Sequence, residues 1–255
     1  MTRNIIIIVL LLLFIIIFAA ATESFLSSEN FASHDIPKVI YMCHKNIKEI
    51  EPYAENWKKL NPDYEIKLYD NDSCKKMLTD NYPPIYGDIF DYIKSGPIKA
   101  DFWRICVLNL YGGVYADADI EPVTPIHEFL EEKADFVVVS AYEDQSTFNP
   151  NFLMSKKDDE ILKKCIDWYM EKYYRSEPFE YWPWSIVNNF KETLFLKDFN
   201  KKYGLYEWIG PTPKTVQVLQ QVDKQRADDY VIYNDVVLFR DRYANYNPDT
   251  HSFMP

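Results

Sequence analysis

The sequence predicts an α/β fold carried by one domain, and three observations point to it. Short runs rich in β-branched and aromatic residues alternate with helical stretches through the first 140 residues, a rhythm that builds a largely parallel sheet covered by helices. The 255 residues, less an apolar N-terminal stretch, suit a single sizeable core. Hydrophobic residues make up 47% and aromatic residues 16%, a globular composition uninterrupted by repeats or low-complexity linkers.

The chain opens with an unbroken apolar run, Ile5 to Ala21, which as a helix spans roughly 26 Å, close to a thin endoplasmic-reticulum bilayer. Arg3 and the amino terminus put positive charge before it and Glu23 follows, so residues 1–21 read as the signal-anchor of a single-pass type II membrane protein facing the Golgi or ER lumen. Ala19-Ala20-Ala21 also offers a small-residue cleavage site, in which case the run is a signal peptide and the protein is secreted. Its length favours the anchor. Residues 22–35, polar and Ser-rich, form a short stem, and 36–255 the folded domain.

Within that domain, Ile36 to Met42 reads as the first buried strand. A helix around Ile50 to Leu60 carries Pro52 in its first turn and ends at Asn61-Pro62. Tyr64 to Tyr69 alternates as a second strand, and Asp70-Asn71-Asp72-Ser73 caps a short helix from Cys74. Tyr82-Pro83-Pro84 breaks the chain. Ser95-Gly96-Pro97 opens the best-defined helix, which runs to Tyr111 and stops at Gly112-Gly113. Val114-Tyr115-Ala116 is a short strand that delivers Asp117 and Asp119. Phe136 to Ala141 is another buried strand, Asp158 to Tyr174 a helix, and Glu177 to Trp184 a loop or insertion rich in Pro and aromatic residues.

A net charge of −11 argues against a nucleic-acid partner, and an acidic protein that binds an anion needs a local cation. Asp117 and Asp119 are two apart where a strand leaves the sheet, so both carboxylates project to one side, beyond the strand's carboxyl end. Hard oxygens suit Mg²⁺ or Mn²⁺ rather than zinc. Asp70-Asn71-Asp72 has the same form without that setting and reads as turn and cap. Asp101 and Arg104, at i and i+3 on the preceding helix, share a face, either as an ion pair or as groups that handle a ligand. Cys43, Cys74, Cys106 and Cys165 match no zinc spacing and are either disulfide partners or, as on the helix face at Cys106, buried thiols.

Taken together and in order, Ile36-Pro37-Lys38-Val39-Ile40, Trp57 to Tyr64, Ile98 to Arg104 and Leu110 to Asp119 resemble glycosyltransferase family 32, whose sugar-binding region contains the DXD motif. Golgi mannosyltransferases and capsular-polysaccharide enzymes are in that family. The match covers Ile36 to Val123, about a third of the chain, with weaker echoes at Asn151 to Ser155, Gly210-Pro211-Thr212 and Tyr246-Asn247-Pro248.

The resemblance implies a GT-A, Rossmann-like fold, a UDP- or GDP-sugar donor, Mn²⁺ (or Mg²⁺) dependence and retention of anomeric configuration. It gives Asp117 and Asp119 the metal that bridges the diphosphate, and Asp101 and Arg104 the donor sugar, with Asp119 beside them in catalysis. His44 stands where the family carries a Trp that stacks on the base. Asn151 falls in an echo and is carried as a donor-binding residue. Gly210 and Pro211 form either a turn or a loop closing on the diphosphate, and His251 is either a third metal ligand or part of a frayed terminus. The rings of Tyr173, Tyr174, Tyr181, Trp182 and Trp184 pack in the core or offer a carbohydrate platform. The acceptor is a glycan, glycolipid or glycoprotein. A sugar-nucleotide hydrolase, an inactive carbohydrate-binding relative and a structural envelope protein are the rival readings.

Overall fold

In the computed structural model, residues 36–141, 147–222, 229–247 and 249–254 are described. The expected anchor (1–21) and stem (22–35) lie outside them, as does Pro248 of the last echo. No helix among the described residues is long and apolar enough to cross a membrane.

Strand β1 (Val39–Cys43) lies between β2 (Glu65–Tyr69) and β3 (Gly113–Ala116), parallel to both. Connecting them are α1 (Ile47–Leu60), α2 (Asn71–Asn81), α3 (Pro84–Tyr92) and α4 (Gly96–Tyr111). The chain order reverses at β1, which is where open α/β sheets leave a crevice for ligands. After β4 (Glu121–Pro122), α5 (Ile126–Phe129) and β5 (Phe136–Ser140), the chain returns through β6 (Phe148–Ser155), then α6 (Glu160–Tyr174), α7 (Tyr181–Trp184) and α8 (Ile186–Thr193). Strands β7 (Gly204–Trp208), β8 (Lys214–Val222), β9 (Tyr230–Tyr233) and β10 (Val236–Arg240) follow, and the pair β11 (Tyr246–Asn247) and β12 (Ser252–Phe253) ends the chain. The large sheet runs β2-β1-β3-β6-β5-β8-β9-β10-β4, with β7 also on β8.

This sheet is mixed, which corrects the expectation of a largely parallel one. Of its nine pairings among the described residues, only β1–β2, β1–β3 and β5–β8 are parallel. Parallel neighbours need a long crossover. The first half has the helices to make them; the second half is built largely of strands returning through short connections, which pair antiparallel.

Successive strand residues feed opposite faces, as the period of two requires. Tyr41, Tyr115 and Val138 pack with α2, α3, α4, α6 and α8 on one side. Ile40, Met42, Val114 and Val137 pack with α1 on the other. Trp184 is buried in the first of these cores, and its indole N–H donates to the Pro178 carbonyl. It is a core residue and no platform, whereas Tyr174 and Tyr181 are exposed.

Helix boundaries follow local chemistry. Helix α1 begins earlier than expected because the Asn46 side chain accepts from Lys48 N–H, which places Pro52 in the helix interior. Asp70 and Ser73 form a reciprocal capping box at α2, so the first Asp-Asn-Asp triplet serves the helix start. After the Tyr82 break, Pro84 starts α3, a helix the sequence pattern does not assign.

Helix α4 positions the site. It is buried nearly all round, from Ile98 through Asn109, between the sheet and its neighbouring helices. It stops at Gly112, whose φ of +68° suits glycine; a Cβ there would sit 2.8 Å from Lys157 N and 2.9 Å from Pro37 Cδ. At Gly113, φ +111°, a Cβ would meet the Val39 carbonyl at 2.8 Å. Only glycines let the chain turn this closely under the approach to β1, and that turn sets where β3 ends.

Candidate functional site

Asp101 and Arg104 lie one turn apart on α4, 5% and 4% exposed. Two charges are rarely buried so deeply unless paired. Arg104 Nη2 stands 3.0 Å from Asp101 Oδ1 and 3.2 Å from Asp117 Oδ1. Its Nη1 donates to the Pro150 carbonyl at 2.6 Å and its Nε to the Ala100 carbonyl at 3.3 Å. The guanidinium also lies 4.3 Å from the centre of the Tyr115 ring. Arg104 is therefore committed to protein acceptors and acts as the clamp that joins α4 to the end of β3.

Asp117 is the first residue past β3, held by its N–H to the Asn151 carbonyl at 2.8 Å. Its Oδ1 accepts from the Tyr115 hydroxyl at 2.6 Å as well as from Arg104. Both contacts fall on one oxygen, leaving Oδ2 as the one they do not occupy. Asp119 follows, its carbonyl accepting from Tyr243 N–H at 2.7 Å. Burial, and then the charge of Asp117, push the Asp119 carboxyl up to about 8. Burial likewise lifts Asp101 to about 6 against the pull of Arg104. These acids, held together and desolvated, form a place where a positive charge would be strongly favoured.

Two carboxylates are what the protein brings to such a charge. Among the described residues no three His, Cys, Asp or Glu side chains gather as a ready ligand set. His251 therefore does not complete one with Asp117 and Asp119. A pair of carboxylates fits Mg²⁺ or Mn²⁺, which commonly complete their shells with water and substrate phosphate oxygens.

Asp117, Asp119, Arg104, His44 and His251 line one cavity of about 440 Å³, beyond the carboxyl ends of β1 and β3. His44 sits in the turn after β1: Nε2 faces the His251 carbonyl at 3.1 Å, Nδ1 faces the Asn46 backbone, and the ring edge meets Phe253. His251 arrives through the β11–β12 pair, pinned where Phe253 stacks on Tyr53 at 3.8 Å and Lys45 Nζ donates to the Thr250 carbonyl and Ser252 Oγ. The terminal segment is thus packed against the site, with the His251 Nδ1 facing the Tyr246 hydroxyl at 3.3 Å.

Asn151 lies close behind the pair. Its Nδ2 donates to Asp241 Oδ1 at 2.9 Å, and its own Oδ1 is buried without a partner. Gly210 and Pro211 stand elsewhere, which corrects their placement against the diphosphate. They form the exposed turn between β7 and β8, where Thr212 Oγ1 donates to Glu160. That turn precedes β8, whose start pairs with the start of β5, so it sits at the opposite edge of the sheet from Asp117.

The sequence reading missed three neighbours of the carboxylates. Tyr115 precedes Asp117 by two, and strand alternation alone puts both on one face. Asp241 carries a carboxyl that burial raises to about 6, with Asp117 adding to the rise; Tyr246 is a phenol lifted by burial and by the charges of Asp119 and Asp117. No local signal announces Asp241, and Tyr246 carries only the weak echo it shares with Asn247 and Pro248.

Residues 48–137 match the family described as "Glycosyltransferase sugar-binding region containing DXD motif", so the chain carries that region. It is similar to an uncharacterized glycosyltransferase of Acanthamoeba polyphaga mimivirus, 34% identical over 100 residues, which are 37% of this chain and 40% of that one. A mannosyl phosphorylinositol ceramide synthase of Saccharomyces cerevisiae is 27% identical over 198 residues, 72% of this chain and 46% of that one. An inositol phosphoceramide mannosyltransferase of Schizosaccharomyces pombe is 34% identical over 91 residues, 33% and 25% of the two chains. The chain thus spans less than half the length of these relatives. Among solved structures, one titled PaToxG Glycosyltransferase superposes with a TM-score of 0.46 at 17% identity, over 62% of this chain and 69% of that one.

Proposed function

We propose that this chain, which carries the sugar-binding region of DXD glycosyltransferases, transfers a hexose from a GDP- or UDP-sugar to a glycan, glycolipid or glycoprotein acceptor. Mannose is the sugar and an inositol phosphoceramide-type glycolipid the acceptor that its relatives' names favour. The observation that carries the reading is the clamp of Arg104 on Asp101 and Asp117 beside Asp119, on the wall of a cavity at the switch point of the sheet. The reading includes a GT-A arrangement of the first half of the sheet and attachment to a secretory-pathway membrane through residues 1–21.

Asp117 and Asp119 would hold Mn²⁺ or Mg²⁺, which supplies charge neutralisation for a departing nucleoside diphosphate. Arg104 fixes Asp117 in place and balances the buried carboxylates. Asp101, deep beside it, accepts hydrogen bonds from hydroxyls of the donor sugar. No side chain is assigned as covalent nucleophile; in a transfer with retention, the leaving phosphate takes the acceptor's proton.

The test is a transfer assay with labelled GDP-mannose, UDP-glucose and UDP-galactose, offered with Mn²⁺ and extracted inositol phosphoceramide. Labelled glycolipid from one donor is expected. Free labelled sugar at the same rate with and without acceptor would instead identify a hydrolase.

A further inference from the structure

Two cysteines stand on the wall of the same cavity. Cys43 closes β1, and Cys74 lies in the first turn of α2. Strand pairing brings them together. Cys43 is the register partner of Tyr69, the last residue of β2, and His44 N–H donates to the Tyr69 carbonyl at 3.0 Å. Helix α2 begins after the cap at Asp70, whose carbonyl accepts from Cys74 N–H at 2.8 Å. Both side chains line the cavity that holds Asp117, and each bears on the other's ionisation. The Tyr115 hydroxyl gives its one proton to Asp117, so in the 3.6 Å contact with Cys43 the thiol is the donor. A hydrogen-bonded chain therefore runs from Cys43, beside Cys74 on the cavity wall, through Tyr115 to Asp117. By contrast, Cys106 and Cys165 are fully buried in α4 and α6.

We propose that Cys43 and Cys74 form a redox pair that closes to a disulfide on the wall of this pocket by exchange with a small-molecule or protein disulfide. Cys43, the more exposed of the two, attacks one sulfur of the oxidant, whose other sulfur leaves as a thiol. Cys74 then attacks the Cys43 sulfur of the mixed disulfide and releases the second thiol. The two cysteines lose two electrons and two protons, and the oxidant gains both to become two thiols. The neighbouring Cys74 side chain holds the Cys43 thiol below the usual range while burial pushes Cys74 up, which agrees with that order of attack.

Closure has a local consequence. It removes the S–H that donates to Tyr115, and it ties the turn carrying His44 and Lys45 to α2. Oxidation thereby alters the phenol that orients Asp117 and one wall of the cavity. Its effect on a nucleotide sugar rests on the functional reading above; formation of the bond does not.

The test uses the full chain without any nucleotide. The protein is equilibrated with oxidised glutathione, quenched in acid, alkylated and digested without reductant, and the peptides are weighed. A Cys43–Cys74 linked peptide is expected, with the intact mass lower by two hydrogens and reversal by dithiothreitol. Cys74→Ser should leave Cys43 as a lasting glutathione adduct, since the second attack is lost. Recovery of both cysteines as alkylated thiols, a lasting glutathione adduct on wild-type Cys43, or linkage to Cys106 or Cys165 would overturn the proposal. Because no ligand is present, any of these leaves the donor-site reading standing.

Discussion

Arg104 and Asp117 meet across 3.2 Å, and that contact ties the middle of helix α4 to the end of strand β3. The guanidinium is almost fully buried, so removing it leaves the carboxylates of Asp101 and Asp117 facing each other without a counter-charge. Breaking a buried pair from one side costs about 3–5 kcal/mol. Arg104→Ala is expected to lower the melting temperature by roughly 10 °C. Arg104→Lys keeps a charge but cannot reach Pro150, Asp101 and Asp117 together, and its turnover should fall roughly 100-fold. Thermal denaturation and steady-state transfer measure the two.

Asp119 should make metal-free stability depend on pH. Its carboxyl titrates near 3.8 ordinarily and near 8 here. The folded state therefore binds the proton more tightly than the unfolded chain. The resulting stability is fully present below about pH 4 and is lost as pH rises through about 8. Metal-free Asp119→Asn should lose that slope in urea titrations run from pH 5 to 9. Mn²⁺ added to the wild type near pH 7 should release about one proton, read as a dependence of binding enthalpy on buffer.

Tyr115→Phe keeps the ring under Arg104 and removes only the hydroxyl that donates to Asp117. Losing such a support for a ligating carboxylate costs roughly 10-fold in metal affinity. Titration with Mn²⁺ should show that loss, and unchanged affinity would mean that the phenol does not orient Asp117 for the metal.

Gly112→Ala tests the turn that aims β3. The added methyl would press on Lys157 N and Pro37 Cδ at a positive φ. A destabilisation of about 2 kcal/mol or more is expected in chemical denaturation. Pro211→Ala, on the opposite edge of the sheet, should change neither donor affinity nor turnover.

What could be read from the sequence was what local chemistry writes down. Pro97 and Gly112 bracket α4, and the i, i+3 spacing of Asp101 and Arg104 put both on one face, as the structure has them. The cap at Asp70 was equally local. Tyr115 was legible through strand alternation, which puts it on the same face as Asp117. Asp241 was not legible: it follows β10, whose Arg240 pairs with Glu121 just beyond the Asp pair, a meeting set by sheet order across more than a hundred residues. The antiparallel half of the sheet escaped for the same reason, and with it the place of Gly210-Pro211. That turn reads alike whether it faces a ligand or lies at the far edge.

The most direct test is calorimetric titration of GDP and UDP into the full chain with Mn²⁺, repeated with EDTA and with Asp119→Asn. One of the two nucleotides should bind with Mn²⁺ and lose affinity by at least ~100-fold, about 2.7 kcal/mol, when the metal is removed or Asp119 is neutralised. Binding of equal strength in all three conditions, or of neither nucleotide in any, would contradict a cation held at Asp117 and Asp119 for a nucleoside diphosphate.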